Sequence, residues 1–290
     1  MILVTGASGN VGRQVLHELL RDGQPVRALY RNEVDATGAP SGVATVIADF
    51  ADRASMERAL AGVDKVYLVC APIPQLVELE TNVIEVCKKA GIKHLVLNSA
   101  LGAGAFNSSF PSWHAQVEET LKRSEVPYAI IRPNTFMQNL LAYFAPTIRT
   151  QGVWYSSMGK SRVSFIDTRD IGAFVAKLFG GDTHKGQTYE LNGPEALSYD
   201  TVAELISQAV GRTVRYVDIP PAKQRESLLA LGMPEWQADA LLELQRYYRE
   251  GGGGEVDDVF LRVVGRQPTQ LSAFIKEFAG EFAAPPAPAE

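Results

Sequence analysis

Three glycines near the start of the chain have the spacing of a phosphate-binding loop. Gly6, Gly9 and Gly12 follow the short apolar run 2–4, and an amphipathic stretch begins directly after them. A strand, a glycine turn and a helix in this order are typical of a dinucleotide-binding fingerprint, whose helix N-terminus offers unpaired N–H groups to the phosphates. The spacing is G-x-x-G-x-x-G rather than the usual G-x-G-x-x-G, and a plain turn is the alternative.

Residues that could contact a bound dinucleotide also follow the later apolar runs. Ligands of doubly wound sheets bind beyond the carboxyl ends of the strands, so these residues are candidate contacts. Arg31 lies where a basic side chain favours the 2′-phosphate of NADP(H) over the free ribose of NAD(H). Arg13 could join it, Glu33 is a counter-signal, and a solvated surface arginine is the alternative. Asp49 could accept from the adenine amino group, with Phe50 packed on the ring.

The elements that must position these residues alternate between strands and helices. Near-continuous apolar strands of this kind are buried on both faces, and their alternation with helices predicts a parallel, doubly wound α/β sheet. Predicted strands cover residues 2–4, 26–30, 45–48, 65–70, 94–97 and 128–132, and predicted helices between them cover 53–60, 77–90 and 115–123.

From Pro133 onward the pattern changes to mixed helices and short strands. Tyr247 and Tyr248 precede four glycines, which suggests a flexible loop and a mobile flap. Predicted helices cover 136–148, 170–179, 223–231, 234–249 and 268–282, with another that starts near 197–201 and ends at Gly211; predicted strands cover 152–156, 162–166, 187–192 and 214–219.

Composition excludes several classes of protein. The 290 residues carry a net charge of −5 with no basic stripe, which argues against nucleic-acid binding. No charged-then-apolar leader and no apolar run near 18 residues is present, so we expect a cytoplasmic protein without a membrane span. Cys70 and Cys87 are expected to be reduced core thiols, and no metal-ligand spacing is found. A monomer and a homodimer both remain open.

Further motifs extend over residues 1–282: Thr5-Gly-Ala-Ser-Gly-Asn-Val-Gly12, Arg31-Asn32, Asp49, Asn98-Ser-Ala100, His114-Ala-Gln-Val-Glu118, Arg132-Pro-Asn-Thr-Phe-Met-Gln-Asn139, Phe165-Ile-Asp-Thr-Arg-Asp-Ile171 and Tyr189-Glu-Leu-Asn-Gly-Pro194. Together they resemble the atypical, NmrA-like branch of the short-chain dehydrogenase/reductase superfamily. That branch includes type 2 NAD(P)H:quinone oxidoreductases, triphenylmethane reductase and redox-sensing regulators.

This resemblance implies a Rossmann sheet with a smaller, discontinuous α+β substrate-binding region. The NADP-binding domain is expected at 1–132 and about 168–193, the substrate-binding region at 133–167 and 194–282, and a flexible tail at 283–290. NADP(H) is the expected cofactor, with NAD(H) less favoured. Its expected contacts are Gly6, Ser8, Gly9, Asn10, Val11, Gly12, Arg31, Asn32, Asp49, Phe50, Ala71, Pro72, Ser99, Ala100, His114, Pro133, Asn134 and Phe136.

The chain departs from the wider superfamily at the catalytic position. Ordinary members use a Tyr-x-x-x-Lys pair, but none of the ten tyrosines here has a lysine four residues later. His114 and Ser99 are the candidate catalytic groups, because histidine can donate or accept a proton near neutral pH. A structural histidine and a loop hydroxyl are the alternatives, and Glu118 could orient His114.

The second half of the chain carries aromatic residues that suit a flat, conjugated acceptor. We therefore expect an NADPH-dependent reductase that passes hydride to a small aromatic or quinone-like acceptor. The alternative is a catalytically weak NADP(H)-binding sensor that regulates a partner protein. The candidate substrate-pocket residues are Trp113, Phe136, Met137, Trp154 and Tyr247, although each could instead belong to the core.

Overall fold

A computed structural model describes residues 1–284 of the chain as two compact units. Unit 1 comprises Met1–Pro133, Thr168–Leu191 and Val259–Arg266, and unit 2 comprises Asn134–Asp167, Asn192–Asp258 and the described residues from Gln267. Residues 259–266, which the sequence analysis assigned to the substrate-binding region, cluster with unit 1 instead. Most of the predicted tail, residues 285–290, lies outside the described residues.

Strands and helices are named here in chain order. Within residues 1–284 the strands are β1 (Ile2–Val4), β2 (Val26–Tyr30), β3 (Ala44–Ile47), β4 (Lys65–Leu68), β5 (His94–Asn98), β6 (Tyr128–Pro133), β7 (Val153–Ser156), β8 (Arg162–Val163), β9 (Gln187–Leu191), β10 (Leu197–Ser198) and β11 (Arg215–Asp218). The α-helices are α1 (Asn10–Arg21), α2 (Glu33–Ala36), α3 (Arg53–Ala59), α4 (Leu76–Ala90), α5 (Ser109–Arg123), α6 (Ala145–Gln151), α7 (Thr168–Leu178), α8 (Tyr199–Val210), α9 (Pro221–Ala230), α10 (Glu235–Arg249), α11 (Val259–Val264), α12 (Leu271–Glu277) and α13 (Ala279–Phe282).

Unit 1 is built on a seven-stranded parallel sheet with the order β3-β2-β1-β4-β5-β6-β9. The central strands β1, β4 and β5 are mostly apolar and almost entirely buried, as expected for strands covered by helices on both faces. The order reverses between β1 and β4, which is the topological switch point of a doubly wound fold. The predicted Rossmann architecture is therefore confirmed.

Helix α1 packs very closely on α7. A Cβ atom added to Gly172 would lie 2.8 Å from the backbone carbonyl oxygen of Gln14, so a larger residue would push the helices apart. Apolar side chains of α1 such as Val15 and Leu19 are fully buried. Helix α4 is ended by Gly91, which adopts the left-handed conformation that favours glycine.

Unit 2 combines helices with two short sheets. Strands β7 and β11 pair in parallel, and β8 and β10 pair antiparallel. Its core contains a ring cluster in which Trp154, with no exposed surface, contacts Phe144, Tyr199 and Tyr216 at centroid distances of 4.6 to 6.0 Å. The Ser198 side chain caps α8 by accepting from the backbone N–H of Thr201.

Two predicted helices of the second half differ from the structure, and one helix of the structure was not predicted. The predicted helix 136–148 is replaced by a π-helical turn, Leu140–Phe144, and then α6, because Pro146 lacks the N–H that a continuous helix needs. The predicted helix 268–282 is interrupted at Phe278. Helix α11 was missed, because its nearly continuous apolar run shows little helical periodicity.

Candidate functional site

The loops that follow β1 to β6 all lie at one edge of the unit 1 sheet, because these strands are parallel. Most of the predicted cofactor contacts occupy these loops. Five of them that are exposed at this edge are Ser8, Arg31, Asp49, Ala71 and Pro72, and Ala100 is half-buried. The fold therefore brings residues from distant parts of the sequence to a single surface of unit 1.

The glycine turn after β1 is held against the end of β4. Gly6 has a φ of +58°, and a Cβ atom there would lie 2.6 Å from Val69 Cγ1. The Thr5 hydroxyl donates to the Val69 carbonyl oxygen at 3.2 Å and accepts from the Val69 N–H at 2.9 Å. At Gly12 a Cβ atom would lie 2.2 Å from the Gly6 carbonyl oxygen. Two of the three glycines are thus required by packing alone.

Gly9 differs from the other two glycines, because the protein itself leaves room beside it. An added Cβ atom would meet only the Gly6 carbonyl oxygen, at 3.2 Å. Gly9 is the N-cap of the twelve-residue helix α1, which has no side-chain cap, and Ser8 and Asn10 beside it are exposed. The first N–H groups of α1 are therefore open to an anion at the positive end of the helix dipole. The Val11 side chain is buried, so only its backbone could contribute there.

Two basic side chains near this turn carry no internal counter-charge. Arg31 follows β2, Arg13 lies in the first turn of α1, and both are exposed. Within residues 1–284 neither guanidinium group makes a side-chain hydrogen bond or ion pair. A partnerless pair of arginines suits a phosphate group.

Several predicted neighbours of Arg31 are instead used by the protein. The Asn32 side chain accepts from the Asp35 N–H at 2.8 Å and caps the short helix α2. One carboxylate oxygen of Asp49 accepts from the Ala51 N–H at 2.9 Å, and Phe50 packs against the core. The Asn32 and Phe50 side chains are thus engaged locally, and the cofactor contacts expected of these two residues stay predictions.

Beneath the loop after β4 lies a carboxyl group that the sequence analysis missed. Glu80 has no exposed surface, and neither of its carboxyl oxygens has a hydrogen-bond partner. Burial raises the pKa of Glu80 to about 8, so it is mainly protonated at neutral pH. The signal was available, because Glu80 lies four residues after Leu76 and before Ile84 on the buried stripe of α4.

A buried ionic network joins the end of β5 to α5 and β6. The Ser99 hydroxyl donates to Glu118 Oε1 at 2.6 Å. Arg132 donates to both oxygens of that carboxylate, from Nε to Oε1 at 2.8 Å and from Nη2 to Oε2 at 2.6 Å. Lys122 Nζ lies 3.4 Å from Oε2 of the same carboxylate. Burial alone would raise the pKa of Glu118, but these hydrogen bonds and positive charges outweigh it and lower the pKa. Glu118 therefore stays ionised, and it orients Ser99 rather than His114.

His114 lies on the same helix, one turn before Glu118. The residue is 6% exposed, and its Nδ1 atom has no hydrogen-bond partner within the described residues. Burial lowers the pKa of His114 to about 4, and the nearby Glu118 charge only partly opposes this. Desolvation therefore keeps the imidazole neutral at physiological pH, which weighs against His114 as a proton donor, and its catalytic role stays a prediction.

Asn134, a predicted cofactor contact, is fully engaged within unit 2. Its amide nitrogen donates to Asn192 Oδ1 at 2.9 Å and to the Gly253 carbonyl oxygen at 3.0 Å, while its oxygen accepts from the Thr135 N–H. This leaves no side-chain N–H for a ligand. Pro133, by contrast, ends β6 and is buried in unit 1.

The predicted substrate-pocket residues separate into core and surface groups. Trp154 and Met137 have no exposed surface, so the structure gives them a core role in unit 2. In unit 1, Trp113 packs against the hydrophobic core and against the Phe110 ring. Phe136 and Tyr247 are half-buried in unit 2 and keep surface that a ligand could touch.

The glycine run after α10 is held by hydrogen bonds and packs closely against the two tyrosines before it, and the mobile flap suggested for Tyr247 and Tyr248 stays a prediction. The Gly253 carbonyl oxygen accepts from the Ser164 N–H at 2.9 Å as well as from Asn134. Cβ atoms added to Gly252 and Gly253 would collide with the rings of Tyr247 and Tyr248. These glycines therefore let the loop fold back under the two tyrosines.

Neither a metal site nor a membrane span is found in the part of the chain that the structure describes. No group of three or more His, Cys, Asp or Glu side chains in residues 1–284 could hold a metal ion. None of the described helices is both long and apolar enough to cross a bilayer.

The parallel sheet, its switch point and the glycine turn after β1 define a Rossmann-type α/β protein. The chain belongs to the NmrA-like family, which it matches over residues 1–275, and this confirms the resemblance seen in the sequence.

Comparison with known proteins gives full-length relatives. The chain is 35% identical over 286 residues to the NAD(P)H azoreductase of Xenophilus azovorans, covering 98% of this chain and 100% of the relative. It is 28% identical over 276 residues to quinone oxidoreductase 2 of Escherichia coli strain K12, covering 94% of this chain and 96% of the relative. The crystal structure of the Escherichia coli NADPH-dependent quinone oxidoreductase complexed with NADPH matches with a TM-score of 0.89 at 27% identity, covering 96% of this chain and 99% of that chain.

Proposed function

We propose that this protein is an NADPH-dependent reductase that passes hydride to a quinone-like or other flat, conjugated acceptor. The observation that carries the proposal is the glycine turn of unit 1, where Gly9 leaves the uncapped N-terminus of α1 open to a pyrophosphate. Relatives named as an azoreductase and a quinone oxidoreductase support the same class of reaction.

The residues present fit NADP(H). The open N–H groups of α1 would hold the pyrophosphate, and the partnerless Arg31 and Arg13 would hold the 2′-phosphate. When bound, the reduced nicotinamide supplies the hydride. Unit 1 is accordingly the cofactor-binding unit in this proposal. Unit 2 is the acceptor-binding unit, with Phe136 and Tyr247 as candidate contacts.

The protonation states in unit 1 favour an acceptor that needs little acid catalysis. His114 is neutral at physiological pH, and the Ser99 hydroxyl already donates to Glu118. A quinone yields a stabilised hydroquinone anion, so its reduction does not depend on a strong proton donor. An aldehyde or ketone would instead need a proton on the developing alkoxide.

A second candidate function is that of an NADP(H)-binding sensor that regulates a partner protein without turnover. It is favoured by the same two features of unit 1, because His114 is neutral at physiological pH and the Ser99 proton is already donated to Glu118.

Two measurements on the purified protein separate these functions. Calorimetric titration with NADPH and NADH tests cofactor binding, and NADPH oxidation with a panel of neutral quinones and azo dyes tests turnover. NADPH binding with turnover supports the reductase, and tight binding with no turnover over the panel supports the sensor. Failure to bind NADPH would contradict both.

A further inference from the structure

The hydroxyl of Ser99 has a fixed hydrogen-bonding direction. It lies 2.6 Å from Oε1 of Glu118, which is held ionised by two hydrogen bonds from Arg132 at 2.8 and 2.6 Å. An ionised carboxylate can only accept hydrogen bonds. The Ser99 hydrogen must therefore point at Glu118, and the hydroxyl can offer only its lone pairs to any other group.

Those lone pairs are not used by the protein. Ser99 is 3% exposed, and no donor from the described residues reaches its hydroxyl oxygen. A buried acceptor of this kind is normally satisfied by a protein group, a water molecule or a ligand. Ser99 follows β5 directly and is fixed by its own N–H, which donates to the Ile131 carbonyl oxygen at 2.8 Å.

The position of Ser99 indicates which part of a dinucleotide it would meet. The glycine turn that suits the pyrophosphate follows β1, and Arg31, which suits the 2′-phosphate of the adenosine half, follows β2. The nicotinamide half must then extend in the other direction, toward the ends of β4, β5 and β6. Ser99 is at the end of β5, on the nicotinamide side.

We propose that Ser99 accepts a hydrogen bond from the amide N–H of the nicotinamide carboxamide, and that Glu118 and Arg132 are positioning residues that hold Ser99 in this accepting state. The inference rests on the proposed function for the identity of the ligand. It also gives Ser99 a role other than acid catalysis, because its proton is committed to Glu118. In this arrangement the carboxamide N–H donates to the Ser99 hydroxyl oxygen, and the Glu118 carboxylate fixes Ser99 as the acceptor of that hydrogen bond.

A cofactor analogue tests this contact directly. The 3-acetylpyridine analogue of NADPH replaces the amide nitrogen with a methyl group and keeps the carbonyl, the ring and the ribose hydroxyls. By calorimetry, the wild-type protein should bind NADPH roughly 2- to 13-fold more tightly than the analogue, the range for one net hydrogen bond. In Ser99→Ala the two affinities should become equal. Ser124→Ala is the matched control and should keep the wild-type ratio, because this buried serine on unit 1 donates to the Leu121 carbonyl oxygen at the other end of α5.

The role of Glu118 is tested through the same ratio. In Glu118→Gln the new amide can donate to Ser99, whose hydroxyl is then free to turn, and the preference for NADPH should fall toward one. Glu118→Asp keeps the negative charge beside Arg132 but withdraws the carboxylate from Ser99, and it should lower the ratio in the same way. It therefore decides the question if the Gln variant does not fold.

Each outcome has one meaning. An NADPH-to-analogue ratio of one in the wild type, or an unchanged ratio in Ser99→Ala, overturns the contact. A wild-type ratio in folded Glu118→Asp overturns the positioning role alone. If the wild type binds neither compound, the proposed function itself has failed.

Discussion

His114 provides a measurable link between burial and stability. Burial lowers its pKa to about 4 in the folded protein, against about 6.5 in an unfolded chain. Because the folded pKa is depressed, the stability associated with the neutral imidazole is complete above pH 6.5 and is lost as the pH falls toward 4. Replacement by phenylalanine in His114→Phe removes the titrating group and should remove this part of the acid sensitivity.

The size of the effect follows from the two pKa values. At pH 8 both states are neutral at this residue and the linkage contribution is negligible. At pH 5 the unfolded imidazole is mostly protonated while the folded one is mostly neutral, which destabilises the fold by about 2 kcal/mol. His94 of unit 1 has a pKa lowered to about 4 mainly by burial, so it should contribute a similar loss that the His114→Phe variant retains.

Urea unfolding at pH 8 and pH 5, followed by far-UV circular dichroism, measures this difference. The free energy of unfolding of the wild type should fall between the two pH values by about 2 kcal/mol more than that of His114→Phe. The control is His17→Phe, at an exposed position of α1, which should respond to pH as the wild type does. An identical pH response in wild type and His114→Phe would refute the assignment of a buried, neutral histidine.

Three further predictions test the other parts of unit 1. Gly9→Val should abolish NADPH binding with little change in melting temperature. Gly12→Ala should instead cost about 1–3 kcal/mol of stability in thermal unfolding, because its Cβ would meet the Gly6 carbonyl oxygen. Equal melting temperatures of the two variants would contradict this distinction. Arg31→Ala should weaken NADPH binding by about 1.5–3 kcal/mol and leave NADH binding unchanged in calorimetry, and equal losses would argue against a 2′-phosphate contact. Glu118→Ala should destabilise the fold by about 3 kcal/mol in urea, the low end for a buried ion pair, since it leaves the half-buried Arg132 with only Glu190, at 3.7 Å, as a counter-charge, and a loss below about 1 kcal/mol would show that the pair is solvated.

Sequence patterns predicted unit 1 well because each of its signals is local. Largely apolar runs of three to six residues with helices between them specify a parallel sheet, and Gly6 and Gly12 specify the turn that follows β1. Strand topology then brings the loop residues to one edge without further information. The positions of Arg31, Asp49 and Ala71 at that edge follow from the alternation of strands and helices along the chain alone.

Unit 2 was harder to predict because its elements depend on contacts between distant residues. The run 136–148 reads as an apolar helix, but Phe136 pairs instead with Ile166 in an isolated bridge. The four glycines after Tyr248 read as a flexible loop, yet the small size of two of them, Gly252 and Gly253, is what allows the loop to pack against the two tyrosine rings. Composition cannot distinguish glycine that provides mobility from glycine that permits close packing.

The direction of the hydrogen bond at Ser99 is the feature that sequence could least reveal. Ser99, Glu118 and Arg132 lie on three different elements, and each alone has an ordinary explanation as a loop hydroxyl, a helical acid or a strand-end base. Only their meeting shows that the carboxylate is ionised and that the serine proton is committed. A motif search that seeks a proton donor in this helix would select His114, which burial keeps neutral. The presence of polar residues at this edge of the sheet therefore does not by itself define its chemistry. The buried Glu118 charge does, because it accepts the Ser99 proton in a hydrogen bond and leaves the Ser99 oxygen able only to accept a hydrogen bond.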